Sequence, residues 1–169
     1  LLSNHCIHVD TVNSLNETAL FIAVSMRNKL CVQTILSSYP QPNVNFRSIG
    51  GATPLHVACT IGDIELVNDL LASDASVNVL DTVDRTPLHA VVGSTISVMN
   101  DDRLECLKII LDMGGDYIID IQESMNGDTS LMLAVRLGWV DGARALLQTA
   151  ANPHIVNYAG YDCLSLVGG

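Results

Sequence analysis

The tetrapeptide Thr-Pro-Leu-His occurs twice, at Thr53–His56 and again 33 positions later at Thr86–His89. Looser copies begin at Thr18, Thr129 and Asp162, so successive copies are 35, 33, 43 and 33 residues apart. Self-similarity at a period of roughly 20 to 50 residues is typical of repeat architectures, in which each unit packs only against its neighbours. The period therefore predicts a stacked array rather than a single closed core.

The residues of each copy predict two helices per unit. Thr53 is suited to cap a first helix, because its hydroxyl can accept a hydrogen bond from an unpaired helical N–H. Pro54 suits the first helical position, where no backbone N–H is needed, and Leu55 then faces the core. The same residues recur as Thr86, Pro87 and Leu88, and aliphatic second helices follow at 32–36, 66–71, 107–111 and 143–147.

This pattern resembles the ankyrin-repeat family over nearly the whole chain. The resemblance implies an all-α solenoid, in which each repeat is a stacked helix-turn-helix unit followed by a projecting β-hairpin. It also implies that His56 and His89 support the fold by hydrogen bonding near the threonine and to the neighbouring repeat. The predicted units are the end of a preceding repeat at 1–12, repeats at 13–45, 46–78, 79–120 and 121–154, and the start of a further repeat at 155–169.

The third unit is ten residues longer than the 33-residue period. We expect most of the extra residues between its two helices, near 93–102, and the rest after Gly115. Insertions in solenoids map to loops, often on the binding side. The alternative is drift in a tolerant loop, since loop length costs little free energy. The partial units at both ends predict that the chain is a fragment of a longer protein.

The charge is acidic and unevenly distributed. With 8 Lys and Arg against 18 Asp and Glu, the formal net charge is −10. Direct nucleic-acid binding is not expected, because it depends on Lys and Arg to neutralise phosphates. Six acidic residues and no basic one lie between Ser48 and Asp84: Asp63, Glu65, Asp69, Asp74, Asp81 and Asp84. Such a surface would attract a partner that carries a basic segment. The alternative is that these carboxylates form a solvated face that binds no partner.

No catalytic motif is present: the chain has no Gly-rich phosphate loop, no G-x-S-x-G and no H-E-x-x-H. We therefore predict that it is not an enzyme and needs no cofactor or metal. His56 with Cys59, and the segment His5–His8, are weak metal candidates, since zinc takes three or four protein ligands in a wrapped geometry. Five cysteines without a C-x-x-C favour reduced thiols in an intracellular protein, cytoplasmic or nuclear. No apolar stretch is long enough to span a membrane.

Two sets of residues are candidates for contacts with another protein. The resemblance places ligand contacts on the hairpin tips and first helices, which here gives Phe46, Arg47, Leu80, Asp81, Glu123 and Tyr158. The eighth residue after the threonine position is apolar in three units, as Met26, Ile61 and Leu137, and Trp139 follows two residues later. An exposed apolar stripe with a tryptophan is typical of a contact surface; the alternative is packing between repeats.

These observations predict a non-catalytic protein-interaction module within a larger intracellular regulatory or scaffold protein. Segments 122–129 and 158–161 are similar to junctions in the inhibitors of NF-kappa-B. Segments 126–129 and 136–138, with Pro153, are similar to the ankyrin region of fungal G1/S transcription regulators. Either similarity would imply an inhibitor or co-regulator of a transcription factor. A structural spacer between flanking domains is the third alternative.

Overall fold

The computed structural model describes residues 8–94, 100–114 and 117–167. Within these ranges the chain forms an all-α repeat solenoid. Its helices are α1 (Ala19–Ser25), α2 (Lys29–Leu36), α3 (Pro54–Ile61), α4 (Ile64–Leu71), α5 (Pro87–Gly93), α6 (Asn100–Gly114), α7 (Ser130–Arg136), α8 (Val140–Gln148) and α9 (Cys163–Val167). None of these helices is long and apolar enough to cross a lipid bilayer.

The helices are arranged in pairs that stack in two rows. Within each predicted repeat the first helix packs on the second: α1 on α2, α3 on α4, α5 on α6 and α7 on α8. The first helices α1, α3, α5, α7 and α9 pack against one another in chain order. The second helices α2, α4, α6 and α8 form a parallel row behind them. Helix α9 therefore occupies the first-helix position of a fifth repeat.

A threonine caps each of the first helices α1, α5 and α7. The Oγ1 atoms of Thr18, Thr86 and Thr129 accept hydrogen bonds of 3.2, 3.4 and 3.3 Å from the backbone N–H three residues later. Each capping residue has extended backbone angles, as an N-cap requires. Helices α3 and α5 begin with Pro54 and Pro87 at the first helical position.

The first helices of repeats one, two and four end in a left-handed turn. Arg27, Gly62 and Gly138 have φ values of 54, 69 and 65°. The turn lets the N–H of the next residue return to the helix: Asn28 N–H donates to the Ala23 carbonyl and Trp139 N–H to the Ala134 carbonyl, each at 2.9 Å. These bonds satisfy carbonyl groups that a helix end leaves without an intrahelical partner.

The third repeat departs from this pattern. Helix α5 ends at Gly93, and the next residue, Ser94, has extended backbone angles (φ −62°, ψ 120°) instead of a left-handed turn. Helix α6 then contains 15 residues, against 8 in α4. The extra residues were expected between the two helices, near 93–102, and those from Asn100 onward belong to the start of α6. Residues 95–99 lie outside the described part of the chain.

The core runs along the array between the two rows of helices. Its fully buried side chains are mainly leucines and isoleucines, with less than 2% of their surface exposed. They recur at equivalent positions, among them Leu20, Leu55, Leu88 and Leu131 in the first helices and Leu70, Ile110 and Leu146 in the second helices. Burying each such side chain contributes about 1.5–3 kcal/mol, so small aliphatic residues stabilise the stack without large aromatic rings.

The hairpin loops are joined to one another by backbone hydrogen bonds. Each loop donates one N–H to a carbonyl of the loop before it, at 2.9–3.1 Å. The bonds are Ile49 N–H to Leu15, Thr82 N–H to Gly50, Ser124 N–H to Val83 and Tyr158 N–H to Asn126. The hairpin tips therefore form one connected edge along the solenoid.

Candidate protein-binding surface

The histidine of the second repeat lies inside the array. His56 is 4% exposed, and its Nδ1 accepts a 3.2 Å hydrogen bond from the Thr53 N–H. The ring proton is therefore on Nε2, which donates to the Arg85 carbonyl of the next repeat at 3.1 Å. Burial lowers the pKa of His56, although this carbonyl raises it in part. The ring joins two repeats and is not free for catalysis.

His89 has the same place in the third repeat. Its Nδ1 accepts from the Thr86 N–H at 3.3 Å, and only 1% of its surface is exposed. Burial lowers the pKa of His89 to about 4. Its Nε2 has no hydrogen-bond partner within the described residues, so protonation would place an unsolvated charge in the core. His89 is therefore neutral at physiological pH.

Asp81 was a candidate contact residue at a hairpin tip, but its expected exposure is wrong. Only 7% of its surface is exposed, because its carboxylate accepts hydrogen bonds from the Val83 N–H (2.9 Å), the Arg85 N–H (3.0 Å) and Arg85 Nε (2.9 Å). Burial raises the pKa of Asp81, but these hydrogen bonds outweigh burial and leave the pKa below its usual value. Asp81 shapes its own hairpin.

Glu123 is buried for the same reason, with 3% of its surface exposed. Its carboxylate accepts from the N–H groups of Met125 and Asn126, both at 2.7 Å, and of Asp128 at 3.3 Å. Burial raises the pKa of Glu123, and these three bonds lower it further than burial raises it. Glu123 is thus enclosed by its own loop and presents no free carboxylate to a partner.

In other repeats two asparagines accept hydrogen bonds from the backbone of their own hairpin in the same way. The sequence analysis did not identify them. Asn13 Oδ1 accepts from the Leu15 and Glu17 N–H groups at 2.9 and 3.0 Å. Asn157 Oδ1 accepts from the Ala159 and Tyr161 N–H groups at 3.1 and 3.0 Å. The sequence carries a signal for this role. In three units a short polar residue lies five residues before the threonine position of the next copy: Asn13, Asp81 and Asn157. A short side-chain acceptor at that position is a hairpin-forming feature.

The remaining hairpin candidates differ in accessibility. Arg47 is exposed, but its guanidinium donates to the carbonyls of Leu80 (2.8 Å) and Gly51 (3.2 Å) and so links two hairpins. Phe46 and Leu80 are half-buried. Tyr158 is 68% exposed, and its ring rests on the backbone of Gly127 in the preceding hairpin. Tyr158 is therefore the most accessible of the apolar hairpin candidates.

The apolar stripe of the first helices is interrupted. Met26 is 74% and Leu137 47% exposed, but Ile61 is only 7% exposed. The expected exposure of Trp139 is also wrong, since only 7% of its surface is accessible. Its ring lies under the Arg103 guanidinium, 3.8 Å from ring centroid to Cζ. Packing between repeats, the alternative considered for this residue, is what the structure shows.

Arg103 also explains how the third repeat ends its first helix without a left-handed turn. Its Nε donates to the Val91 carbonyl at 3.0 Å, and Nη2 donates to the Val92 carbonyl. Val91 occupies the position of Ala23 and Ala134, whose carbonyls receive a backbone N–H in the other repeats. The guanidinium of α6 therefore replaces that backbone donor.

The acidic stretch between Ser48 and Asp84 is partly neutralised by one cation from a neighbouring helix and one from its own hairpin. Lys29 of α2 lies 3.3 Å from Asp63 and 2.5 Å from Glu65, and Arg85 lies 2.8 Å from Asp81. Three of the six carboxylates between Ser48 and Asp84 therefore have a cationic partner, which corrects the interpretation from sequence that all six are unopposed. Lys29 comes from the preceding repeat, and only the stacking of α2 beside α4 brings it there.

Comparison with known proteins decides the family. Residues 55–157 match the model of a family described as ankyrin repeats, in three copies. This chain belongs to the ankyrin-repeat family. Ankyrin repeats are interaction modules that bind other proteins, and they are generally non-catalytic.

The chain is similar to parts of several longer proteins. The chain is 28% identical to the tyrosine-protein kinase HTK16 of Hydra vulgaris, over 71% of this chain and 19% of that protein. It is 29% identical to the nuclear factor NF-kappa-B p105 subunit of Gallus gallus, over 96% of this chain and 20% of that protein. It is 30% identical to the putative ankyrin repeat protein FPV232 of Fowlpox virus, over 89% of this chain and 29% of that protein. The chain thus spans a fifth to a third of the length of these relatives.

The chemistry available in this ankyrin array is limited. Across residues 8–94, 100–114 and 117–167, no three His, Cys, Asp or Glu side chains are placed to hold a metal ion. The His5–His8 cluster lies outside the described residues except for His8. Burial raises the pKa of the Cys59 thiol well above its usual value, and the pKa of Cys106 to about 12. Both thiols are therefore protonated and poor nucleophiles.

Proposed function

We propose that the chain is a non-catalytic protein-binding module of a larger intracellular regulatory or scaffold protein, and that its partner binds to the hairpin tips and first helices. The observation that carries this proposal is a group of exposed apolar side chains at consecutive hairpin tips. Met125, Tyr158 and Tyr161 are 67, 68 and 50% exposed. Large exposed aromatic side chains supply most of the binding energy in many protein interfaces.

The connected hairpin edge supports this assignment. The Tyr158 N–H donates to the Asn126 carbonyl at 2.9 Å, and the Tyr158 ring contacts Gly127. The two hairpins therefore hold the exposed residues in one arrangement before any partner arrives. A surface ordered in advance loses less conformational entropy on binding.

The test compares two double variants as baits. Met125→Ser with Tyr158→Ser removes apolar area from the hairpin tips. The matched control, Leu30→Ser with Tyr39→Ser, removes apolar area near α2, where these side chains are 75 and 95% exposed. Each bait is immobilised at equal density, and retained proteins are quantified by mass spectrometry. We expect a specific partner that is retained by the unchanged chain and by the control but lost with the hairpin variant.

Two other results would contradict the proposal. Loss of the same partner from the α2 control alone would place the binding surface on the second-helix side. Reproducible capture of no protein by the unchanged chain would favour the structural spacer, because a spacer needs only its covalent neighbours.

A second candidate is an inhibitor or co-regulator of a transcription factor. The match to the NF-kappa-B p105 subunit over 96% of the chain supports it. The similarity of segments 126–129 and 136–138 to fungal G1/S regulators remains a sequence-based alternative. The experiment titrates the chain into a preformed complex of a Rel-type transcription factor with its DNA and follows the fluorescence anisotropy of the DNA. Release of the DNA would support the inhibitor, and an unchanged signal at saturating chain would exclude it for that factor.

The partner is further proposed to carry a basic segment. Exposed carboxylates without an ion pair among the described residues remain at Asp74, Asp84 and Asp102, and the net charge of −10 disfavours direct contact with nucleic acid. Association steered by these charges would slow as salt is raised, because the Debye length falls from about 10 Å at 0.1 M to about 3 Å at 1 M. An association rate independent of salt would contradict a basic partner.

A further inference from the structure

A pocket of about 320 Å³ lies on the first-helix side of the array, between α3, α5 and the hairpin that precedes α5. Its apolar wall includes Ala52, Val57 and Ala90, and the hairpin contributes Asp81 and Arg85. Binding sites commonly combine an apolar wall with a few polar groups that orient the ligand. The pocket therefore offers both features within the surface that we assign to the partner.

The pocket exists because the third repeat carries small residues where other repeats carry larger ones. Ala90 lies four residues after its threonine, and the other repeats have larger side chains at that position: Ile22, Val57 and Leu133. Three residues further on is Gly93, and a Cβ added there would meet no atom within 4 Å. The fold thus leaves room for a side chain that the chain itself does not supply.

The carboxylate that lines the pocket has no acceptor position left for a ligand. Asp81 Oδ1 accepts from the N–H groups of Val83 and Arg85. Asp81 Oδ2 accepts from Arg85 Nε and lies 2.8 Å from Arg85 Nη2. A carboxylate has about four acceptor positions, so these contacts occupy them, and a cationic ligand would find no acceptor at Asp81.

Two guanidinium groups at the hairpin end, in contrast, keep free donors. Arg85 uses Nε and Nη2 for the carboxylate, which leaves Nη1 without a hydrogen-bond partner within the described residues. Arg47 uses Nε and Nη2 for the carbonyls of Gly51 and Leu80 and keeps its Nη1 in the same way. Gly51 directly precedes the pocket residue Ala52, so both guanidinium groups lie beside the pocket.

We infer that the pocket binds a large apolar side chain of the protein partner, and that a carboxylate next to this side chain pairs with Arg47 and Arg85. Charge complementarity identifies the acidic group, because the donors are free and the acceptor is saturated. The inference rests on the proposed function, since it specifies the chemistry of the partner at the first helices. The basic segment proposed above would face carboxylates that do not line this pocket.

Three small probes with the same phenylpropyl body test this chemistry without a partner. Hydrocinnamate carries a carboxylate, hydrocinnamamide is neutral and phenylpropylamine is cationic. Each probe is titrated into the isotope-labelled chain, and the backbone amide NMR shifts of Ala52, Val57 and Ala90 are followed. We expect hydrocinnamate to bind up to about fivefold more tightly than the amide, the range of a solvent-exposed ion pair, and the amine to bind most weakly.

Two variants and a control locate the binding site. Ala90→Leu introduces the side chain that Leu133 has at the same repeat position, so the variant should fold, fill the pocket and lose the shifts for every probe. Arg47→Met should reduce the preference for the carboxylate while hydrocinnamamide still binds, which a general loss of structure would not produce. The control Ser25→Leu adds the same bulk to an exposed position of α1 and should leave the shifts unchanged.

Two results of the titrations would overturn the inference. One is probe binding that persists in Ala90→Leu, because the probes would then bind elsewhere. The other is an affinity for hydrocinnamate that does not exceed the affinity for the amide in the unchanged chain, because the guanidinium groups would then recognise no carboxylate.

The pocket variant also separates this inference from the proposed function. In the bait experiment above, Ala90→Leu should lose the same partner that the hairpin variant loses. Retention of that partner by Ala90→Leu, together with its loss from the hairpin variant, would leave the proposed function intact. The same result would overturn the pocket as a partner site and would leave a small carboxylate compound as its occupant.

Discussion

Buried polar side chains organise the hairpins of this protein residue by residue. Asp81 and Glu123 each accept hydrogen bonds from two or three backbone N–H groups of their own loop. A carboxylate with that many donors remains ionised despite burial. The surrounding loops are held in the shape that presents Tyr158 and Met125 to solvent. The residues that build the surface and the residues that are free to bind are therefore different.

Substitution of Gly127 would test how closely the hairpin tips pack. Its φ is 73°, and an added Cβ would lie 2.6 Å from Cδ1 of the Tyr158 ring. Gly160 has a similar φ of 81° but open space around it. We expect Gly160→Ala to lower the free energy of unfolding by about 1 kcal/mol, because an L-residue is strained at positive φ, and Gly127→Ala to cost about 1 kcal/mol more. Urea unfolding measures both; equal costs would mean that the Tyr158 ring moves aside freely.

His89 gives the protein a pH-dependent stability. Its folded-state pKa is lowered from 6.5 to about 4, so the folded state binds its proton less readily than the unfolded state. The resulting stability is present above pH 6.5 and is lost as the pH falls towards 4, by at most about 1.4 kcal/mol per pH unit. Urea unfolding at pH 7 and pH 5 should show a smaller loss in His89→Gln than in the unchanged chain. The exposed His154→Gln serves as control, and an identical loss in all three would contradict a role for His89.

At the scale of helices, α6 shows that an insertion can become part of an element. The residues added to the third repeat extend α6 toward its N-terminus, and this extension carries Arg103 to the end of α5. There the guanidinium takes the place of the left-handed turn found in the other repeats. Trp139 of the fourth repeat stacks on the same group, so one side chain joins α5, α6 and the start of α8.

Removing this guanidinium should therefore destabilise the junction. We expect Arg103→Met to lower the free energy of unfolding by about 1–3 kcal/mol, because the Val91 and Val92 carbonyls lose charged donors and the stacking on Trp139 is lost. Trp139 is the only tryptophan, so its emission should shift to longer wavelength as water enters. The control Arg144→Met removes an exposed ion pair with Asp141 and should cost less than about 0.5 kcal/mol. Similar costs for the two variants would refute the capping role.

At the scale of the whole molecule, the helix contacts of the solenoid are mainly local. Each first helix packs on the first helices adjacent to it in the row, and the main helix pairs within the described residues belong to the same repeat or to adjacent repeats. Stability is then a sum of repeat and interface contributions. Among the described helices, α8 packs on one second helix, α6, whereas α4 and α6 each pack on two.

Hydrogen exchange should follow this arrangement. We expect the slowest amide exchange in α3 and α5, which have neighbours on both sides, faster exchange in α8, and the fastest in α9, where Leu164 is 68% exposed. Exchange measured by NMR under native conditions would give this order. Uniform protection from α3 to α9 would instead show that the array opens as one cooperative unit.

The sequence by itself determined the repeat, its period and the helical positions, because Thr-Pro caps and buried leucines act through neighbours a few residues away. The tertiary structure decided which polar and aromatic residues are exposed. Trp139 became buried because Arg103 of the preceding repeat lies over it, and Asp63 and Glu65 share an ion pair with Lys29, about 35 positions earlier. Such contacts depend on how one repeat stacks on the next. That geometry cannot be read from residue type or spacing, because the same residues in another register would face solvent.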